Sequence, residues 1–248
     1  MLRHAEPVMG TVVSFAVRDA PAAALRPAIA ELHRLDALFS TYRPDSQLSR
    51  LARGELTVER CDPLVGEALA HCASVATETD GWFTARPAGR LDPSGWVKGW
   101  AVERASELLL AAGYPHHTVT GGGDVQARGQ AAPGQPWRVG VADPARADAL
   151  VAVLAGGGDF AVATSGNAER GAHIVDPRSG QPVHGALSVT VVGEGLARTD
   201  AYATAAYAMG AQRALDWLAG TAGYEALVVL PDGRRLGTPG LARHLAAP

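Results

Sequence analysis

Apolar residues recur at three- and four-residue steps at Leu25, Ile29, Leu32, Leu35 and Phe39, which predicts an amphipathic helix from about Ala22 to Phe39. Val65, Leu69, Cys72 and Val75 predict a second, ending near Asp80-Gly81. A third is expected from about Trp96 to Ala112, with Ala101, Ala105, Leu108 and Leu109 inward and Gly113 as its stop signal. Before these, the apolar and β-branched run Val8 to Val17 reads as one strand. After Gly113 the pattern changes to short strand candidates separated by Gly, Pro and Asp: 118–120, 124–127, 137–141, 150–154, 160–164 and 188–192. Helices are expected from about Asp200 to Met209 and from Ala211 to Leu218. A strand follows at Tyr224–Leu230, closed by the turn Pro231-Asp232-Gly233. Helices come first and most strands later, so the class is α+β rather than a regular βαβ alternation. No repeat or linker stands out, and residues 1–248 are expected to form one domain.

Composition narrows the function classes. Apolar residues make up 47% and charged residues 19% of 248, enough for a sizeable core, and the net charge is −3. No basic run of five or more exists, so no nucleic-acid partner is indicated. No apolar stretch reaches the roughly 20 residues that span a bilayer. No secretory signal or lipid-attachment cysteine is visible, so the expected location is cytoplasmic, a trimmed leader aside. The two cysteines, Cys61 and Cys72, have no metal-ligand spacing, and Cys72 is expected to be a buried thiol.

The candidate chemistry lies in polar or Gly-rich islands. Asp200 and Thr204 are four residues apart in a helical run, which places two hard oxygens on one face. Mg²⁺ can use such a pair, filling its octahedron with water and substrate phosphate. Alternatively, Thr199 or Asp200 is simply the N-cap. Asp92 to Gly99 opens a helix, where free N–H groups and the helix dipole favour an anion. Lys98 in that region is unfavourable for the dipole and points to a ligand of opposite charge; the plain alternative is a capped helix with a solvated lysine. Gly121-Gly122-Gly123-Asp124 lies between two strands, where glycines allow close approach or positive φ. Ala163-Thr164-Ser165-Gly166 follows a strand. His173 starts a short apolar strand and has either a structural or a chemical role. Asp176-Pro177-Arg178-Ser179-Gly180 is a turn signal. None of these is a Rossmann or P-loop signature.

Taken in order, Met9-Gly10-Thr11, Ser40 to Arg50, Asp92 to Gly99, Gly122-Gly123-Asp124, Ala163 to Gly166, His173 to Pro177 and Asp200 to Ala205 resemble the successive motifs of the ApbE family, the FAD:protein FMN transferases. The resemblance covers about Pro7 to Gly210. It implies an ApbE-like (T-fold-like) domain with antiparallel sheets flanked by helices. It implies FAD as substrate and a divalent cation, Mg²⁺ or Mn²⁺. FMN would be attached through its phosphate to a Ser or Thr of an acceptor flavoprotein, with AMP leaving. Asp200 and Thr204 match the family's side-chain Mg²⁺ ligands, and Gly95 the position whose carbonyl joins them. Met9, Tyr42, Asp92, Lys98 and Ile174 match FAD-contacting positions, as do residues around Phe83-Thr84-Ala85. His173 matches a histidine implicated in activity. The segment from Phe83 to Asp92 is shorter than in the family, and Thr84 stands where an Asp is usual.

The implied chemistry asks the protein mainly to position groups and neutralise phosphate charge. His173 is the candidate acceptor for the hydroxyl proton. Two other readings use the same residues: water as nucleophile, giving an FAD pyrophosphatase, and a flavin-binding module without turnover.

Overall fold

The structure is a computed structural model, and it describes residues 1–166, 174–183 and 185–246. Strand β1 (Leu2–Val8) and strand β2 (Thr11–Val17) form a hairpin in which Val8 pairs with Thr11. The run read as one strand from Val8 is therefore broken. The two loop residues, Met9 and Gly10, both take positive φ (56° and 69°), the geometry of a tight two-residue turn whose twist matches paired strands. Helix α1 (Arg26–Phe39) follows a 3₁₀ turn at Ala22–Leu25, so the predicted helix is present with a tighter first turn. A six-residue helix α2 (Gln47–Ala52), unforeseen, is capped by Ser46, whose side chain accepts from the Ser49 N–H. Helices α3 (Pro63–Glu78) and α4 (Ser94–Ala111) match their predicted spans, but Leu108 is exposed rather than inward.

The later elements are β3 (His117–Gly121), β4 (Asp124–Gly129), β5 (Trp137–Asp143), β6 (Arg146–Gly156), β7 (Gly158–Gly166), β8 (Ser188–Gly193), α5 (Leu196–Met209), α6 (Ala211–Ala219), β9 (Glu225–Val229) and β10 (Arg235–Gly237). An antiparallel eight-stranded sheet runs β1-β2-β3-β4-β7-β8-β9-β10, and β5 and β6 pair in a separate hairpin. Alternation along the strands divides the interior. Ala161, Ala163, Val189, Val191, Ala226 and Val228 pack with α1, α4 and α5 on one face. Phe160, Val162, Val192, Leu227 and Val229 face the other way, against Trp137, Val141, Val151 and Leu154 of the β5–β6 hairpin. Among the described residues, no helix is long and apolar enough to cross a membrane. Cys72 is buried, as expected.

Candidate active site at the crossing of two helices

The island 121–124 is explained by its backbone. Gly121 pairs with Asp124 across the two-residue turn Gly122-Gly123, and both turn glycines have positive φ (57° and 87°). The turn delivers Asp124 as the first residue of β4, on the helix-covered face of the sheet. There its carboxylate is 2% exposed and does two jobs. Oδ1 accepts the Thr164 N–H at 2.9 Å, and Oδ2 pairs with the Lys98 ammonium. The same ammonium lies 2.9 Å from Oδ2 of Asp200. The unfavourable lysine near the start of α4 is therefore balanced within the protein, by two carboxylates.

Helix α5 begins at Leu196, with Gly195 as N-cap, so neither Thr199 nor Asp200 caps it. The expected start at Asp200 is four residues late. Asp200 and Thr204 sit on successive turns facing α4, as their spacing implied. Oδ2 of Asp200 accepts the Gly99 N–H at 3.1 Å. Oδ1 of Asp200 has no hydrogen-bond partner among the described residues. Thr204 Oγ1 lies 3.5 Å from Ser165 Oγ, at the end of β7. A methyl group at Gly95 would stand 3.5 Å from Thr204 Oγ1 and 3.2 Å from the Phe83 ring. Gly95, Thr204, Asp200 and Lys98 are thus brought together, with Asp124 and Ser165 behind them.

The donor chemistry fits a hard cation: a carboxylate and a hydroxyl one helical turn apart, beside Gly95 near the start of α4. Among the described residues no three His, Cys, Asp or Glu side chains converge to form an all-protein cage. Mg²⁺ suits this arrangement, because it keeps water or substrate oxygens for much of its shell.

The remaining candidates are spread around this point. Asp92 folds onto the helix start, its Oδ1 accepting the Ser94 N–H at 3.1 Å. Its own N–H is held by the Ala85 carbonyl at 2.8 Å, which closes the short segment after Phe83 into a tight loop. Thr84 Oγ1 accepts the Arg86 N–H within that loop. Phe83 is buried, so its ring backs Gly95 instead of offering free surface. Tyr42 is 93% exposed. It lines an open groove of about 400 Å³ with Thr41, Pro44, Leu48, Arg90 and Leu91. Leu91, at one side of the groove, directly precedes Asp92 in the chain. Met9 occupies the β1–β2 turn, partly buried against the core. Ile174 is likewise partly buried. His173 lies outside the described residues. Asp124 was missed as a site residue by sequence reasoning; the signal available was an acidic residue immediately after a two-glycine turn.

Comparison with known proteins gives the family and the fold. The ApbE family matches residues 9–88 and 84–228. The two stretches meet inside the tight loop between Phe83 and Asp92, where the chain is short. A protein of Rhodobacter capsulatus named FAD:protein FMN transferase is 34% identical over 202 residues, 76% of this chain and 38% of the relative. A protein of the same name from Vibrio cholerae serotype O1 is 31% identical over 134 residues, 50% of this chain and 40% of the relative. The matched stretches thus span about two fifths of the length of these curated relatives. Among solved structures, the flavin transferase ApbE from Vibrio cholerae superposes with a TM-score of 0.83 at 21% identity, over 98% of this chain and 99% of that one. The ApbE protein from Thermotoga maritima superposes with a TM-score of 0.86 at 22% identity, over 99% of both chains. With the family's motifs in order along the sequence and its fold around them, the chain belongs to the ApbE family.

Proposed function

We propose that the protein is an FAD:protein FMN transferase that moves FMN from FAD to a Ser or Thr of an acceptor flavoprotein and releases AMP. The observation that carries this reading is the crossing of α4 and α5. It sets the Asp200 carboxylate, the Thr204 hydroxyl, Gly95 and the Lys98 ammonium together at an open helix start. In this reading residues 1–248 form one catalytic domain, supported by a sheet that takes its strands from Leu2 through Gly237.

In this mechanism FAD lies along the groove beside Tyr42, with its diphosphate at the N-terminus of α4, where free N–H groups favour anions. Asp200, Thr204 and the Gly95 carbonyl would hold Mg²⁺ there. When bound, Mg²⁺ supplies neutralising charge to the diphosphate oxygens. Lys98 adds positive charge at the same point and is kept in place by Asp124. The acceptor hydroxyl oxygen forms a bond to the FMN-side phosphorus. The phosphoanhydride bond breaks, its electron pair leaves with AMP, and His173 takes the hydroxyl proton. Positioning and charge neutralisation account for most of the catalysis in phosphoryl transfer, and the chain's residues are of that kind.

The test is incubation with FAD, Mg²⁺ and a flavoprotein carrying an acceptor Ser or Thr, followed by intact mass measurement. A covalent FMN increment on the acceptor is expected with the unaltered protein and not with Asp200→Ala. Release of free FMN and AMP with no adduct on any acceptor would replace transfer with hydrolysis.

A further inference from the structure

The face of α4 that meets α5 is a single stripe at four-residue steps: Gly95, Gly99 and Glu103. The face of α5 that meets it runs the other way, through Thr204, Asp200 and Ala197. Each level of this antiparallel ladder is defined. Gly95 stands against Thr204. Gly99 donates to Asp200 at 3.1 Å. Glu103 Oε2 accepts the Ala197 N–H at 2.7 Å. The first two levels form the candidate site, and the third lies one helical turn beyond it.

The third level has a chemistry of its own. A helix leaves its first N–H groups without internal partners. The N-cap of α5 is Gly195, which has no side chain to offer. The cap is supplied from two other elements instead. Glu103 of α4 takes the Ala197 N–H, and Gln126 of β4 takes the Leu196 N–H through Oε1 at 2.8 Å. Gln126 is fully buried, and its Nε2 donates to the Glu194 carbonyl at 3.0 Å, so it grips the chain on both sides of the helix start. A methyl group at Gly195 would come 2.8 Å from Glu103 Oε1, which shows the carboxylate filling the place of a capping side chain. Neither residue is near enough in sequence to serve as an ordinary local cap.

We infer that Glu103 and Gln126 are positioning residues that set the register of α5 against α4, and so place Asp200 and Thr204 for metal binding. The inference rests on the metal-binding reading given above. A helix that slips by one residue shifts its side chains by about 1.5 Å and turns them by about 100°, enough to withdraw Asp200 from Gly99 and Lys98. The first turn of α5 is thus held by residues of two other elements, independently of Asp200 and Thr204.

The test is a titration with Mn²⁺, in the presence of FAD, with free Mn²⁺ read by electron paramagnetic resonance. FAD affinity is measured in parallel by fluorescence, and folding by circular dichroism. Glu103→Ala is expected to weaken Mn²⁺ binding about tenfold while FAD affinity changes less than twofold. Glu103→Gln keeps an acceptor for the Ala197 N–H and is expected to bind Mn²⁺ within twofold of the unaltered protein. A folded Glu103→Ala that binds Mn²⁺ normally would overturn the inference, as would a Glu103→Gln variant as weak as the alanine variant. If Glu103→Ala does not fold, Gln126→Ala in the same titration decides: about fivefold weakening supports the inference, and normal affinity overturns it. Asp200→Ala separates the two levels of the proposal. Normal Mn²⁺ binding by that variant removes the metal reading and the register inference with it. Weak binding by Asp200→Ala beside normal binding by Glu103→Ala removes the register inference alone.

Discussion

Gly99 gives its backbone N–H to the Asp200 carboxylate at 3.1 Å, and a methyl group on Gly99 would stand 2.8 Å from Asp200 Cβ and 2.7 Å from the Leu196 carbonyl oxygen. The hydrogen bond exists because the residue has no side chain. Gly99→Ala gains about 1 kcal/mol of helix propensity. Against this, overpacking at a backbone contact costs about 1–3 kcal/mol. The clash is with backbone as well as a Cβ, which neither helix can turn aside, so a net loss of stability is expected. Urea denaturation measures it, and an alanine variant more stable than the unaltered protein would contradict the close crossing.

Lys98 sits between two carboxylates that are almost wholly buried, and Asp124 and Asp200 have no other cation within reach among the described residues. Lys98→Met leaves both charges unpaired, a change of a kind that destabilises by about 3–5 kcal/mol. Adding Asp124→Asn removes one of the stranded charges and is expected to restore part of the loss. A denaturation series over the two single variants and the double variant gives the coupling. Strict additivity would show that the ammonium does not bind these carboxylates together.

Tyr42 is almost wholly exposed at the groove it lines with Arg90 and Leu91. Tyr42→Ala is expected to leave the melting temperature unchanged, since the ring buries little against the protein. FAD binding should weaken about two- to thirteenfold, matching the roughly 0.5–1.5 kcal/mol that aromatic stacking contributes. Fluorescence titration with FAD reads this directly. Unchanged affinity would move the flavin out of this groove.

His117 titrates against the fold. Burial lowers its pKa from the ordinary 6.5, opposed by its bond to the Tyr114 carbonyl, and the Arg128 charge lowers it further. Nδ1 lies 2.6 Å from the Tyr114 carbonyl oxygen and Nε2 lies 2.7 Å from Ser106 Oγ, which suits a neutral ring that donates through Nδ1 and accepts through Nε2. The unfolded chain binds this proton more readily, so stability rises with pH. The contribution is complete above about pH 6.5 and is lost as pH falls below it towards the lowered value. Glu103 has the opposite sign, because burial raises its carboxyl above the ordinary 4.5. Melting temperatures from pH 7.5 to 5 are expected to fall for the unaltered protein and to fall less steeply for His117→Asn. Parallel curves would rule out His117 as the cause.

The parts of the fold legible in the sequence are those set by local pattern. The repeat from Leu25 to Phe39 gave α1, and the Val65 to Val75 repeat gave α3, because each helix buries one apolar stripe in the core. The β1–β2 hairpin was hidden because its turn begins with Met9, a residue rarely held at positive φ. The six residues of α2 are too few to show a period. The start of α5 was read late because its cap comes from Glu103 and Gln126, which no local pattern reveals. In the site, the Asp200–Thr204 pair was visible from spacing alone. The Lys98–Asp124 pair joins residues 26 apart through a β-turn and a helix, and needed the sheet to place it.

The contacts between α4 and α5 join residues 101 and 94 positions apart, at Gly99–Asp200 and at Glu103–Ala197. Such long-range closures are entropically expensive and slow to form compared with local turns and helices. During synthesis α4 emerges long before its counterpart, and Gly99 has no carboxylate to meet until α5 has been made. On the proposed reading, a nascent chain that lacks α5 has no centre for the cation, because Asp200 and Thr204 are not yet made. A ligand held by both helices would stabilise only the finished molecule, and so would act as a selective check on completed chains.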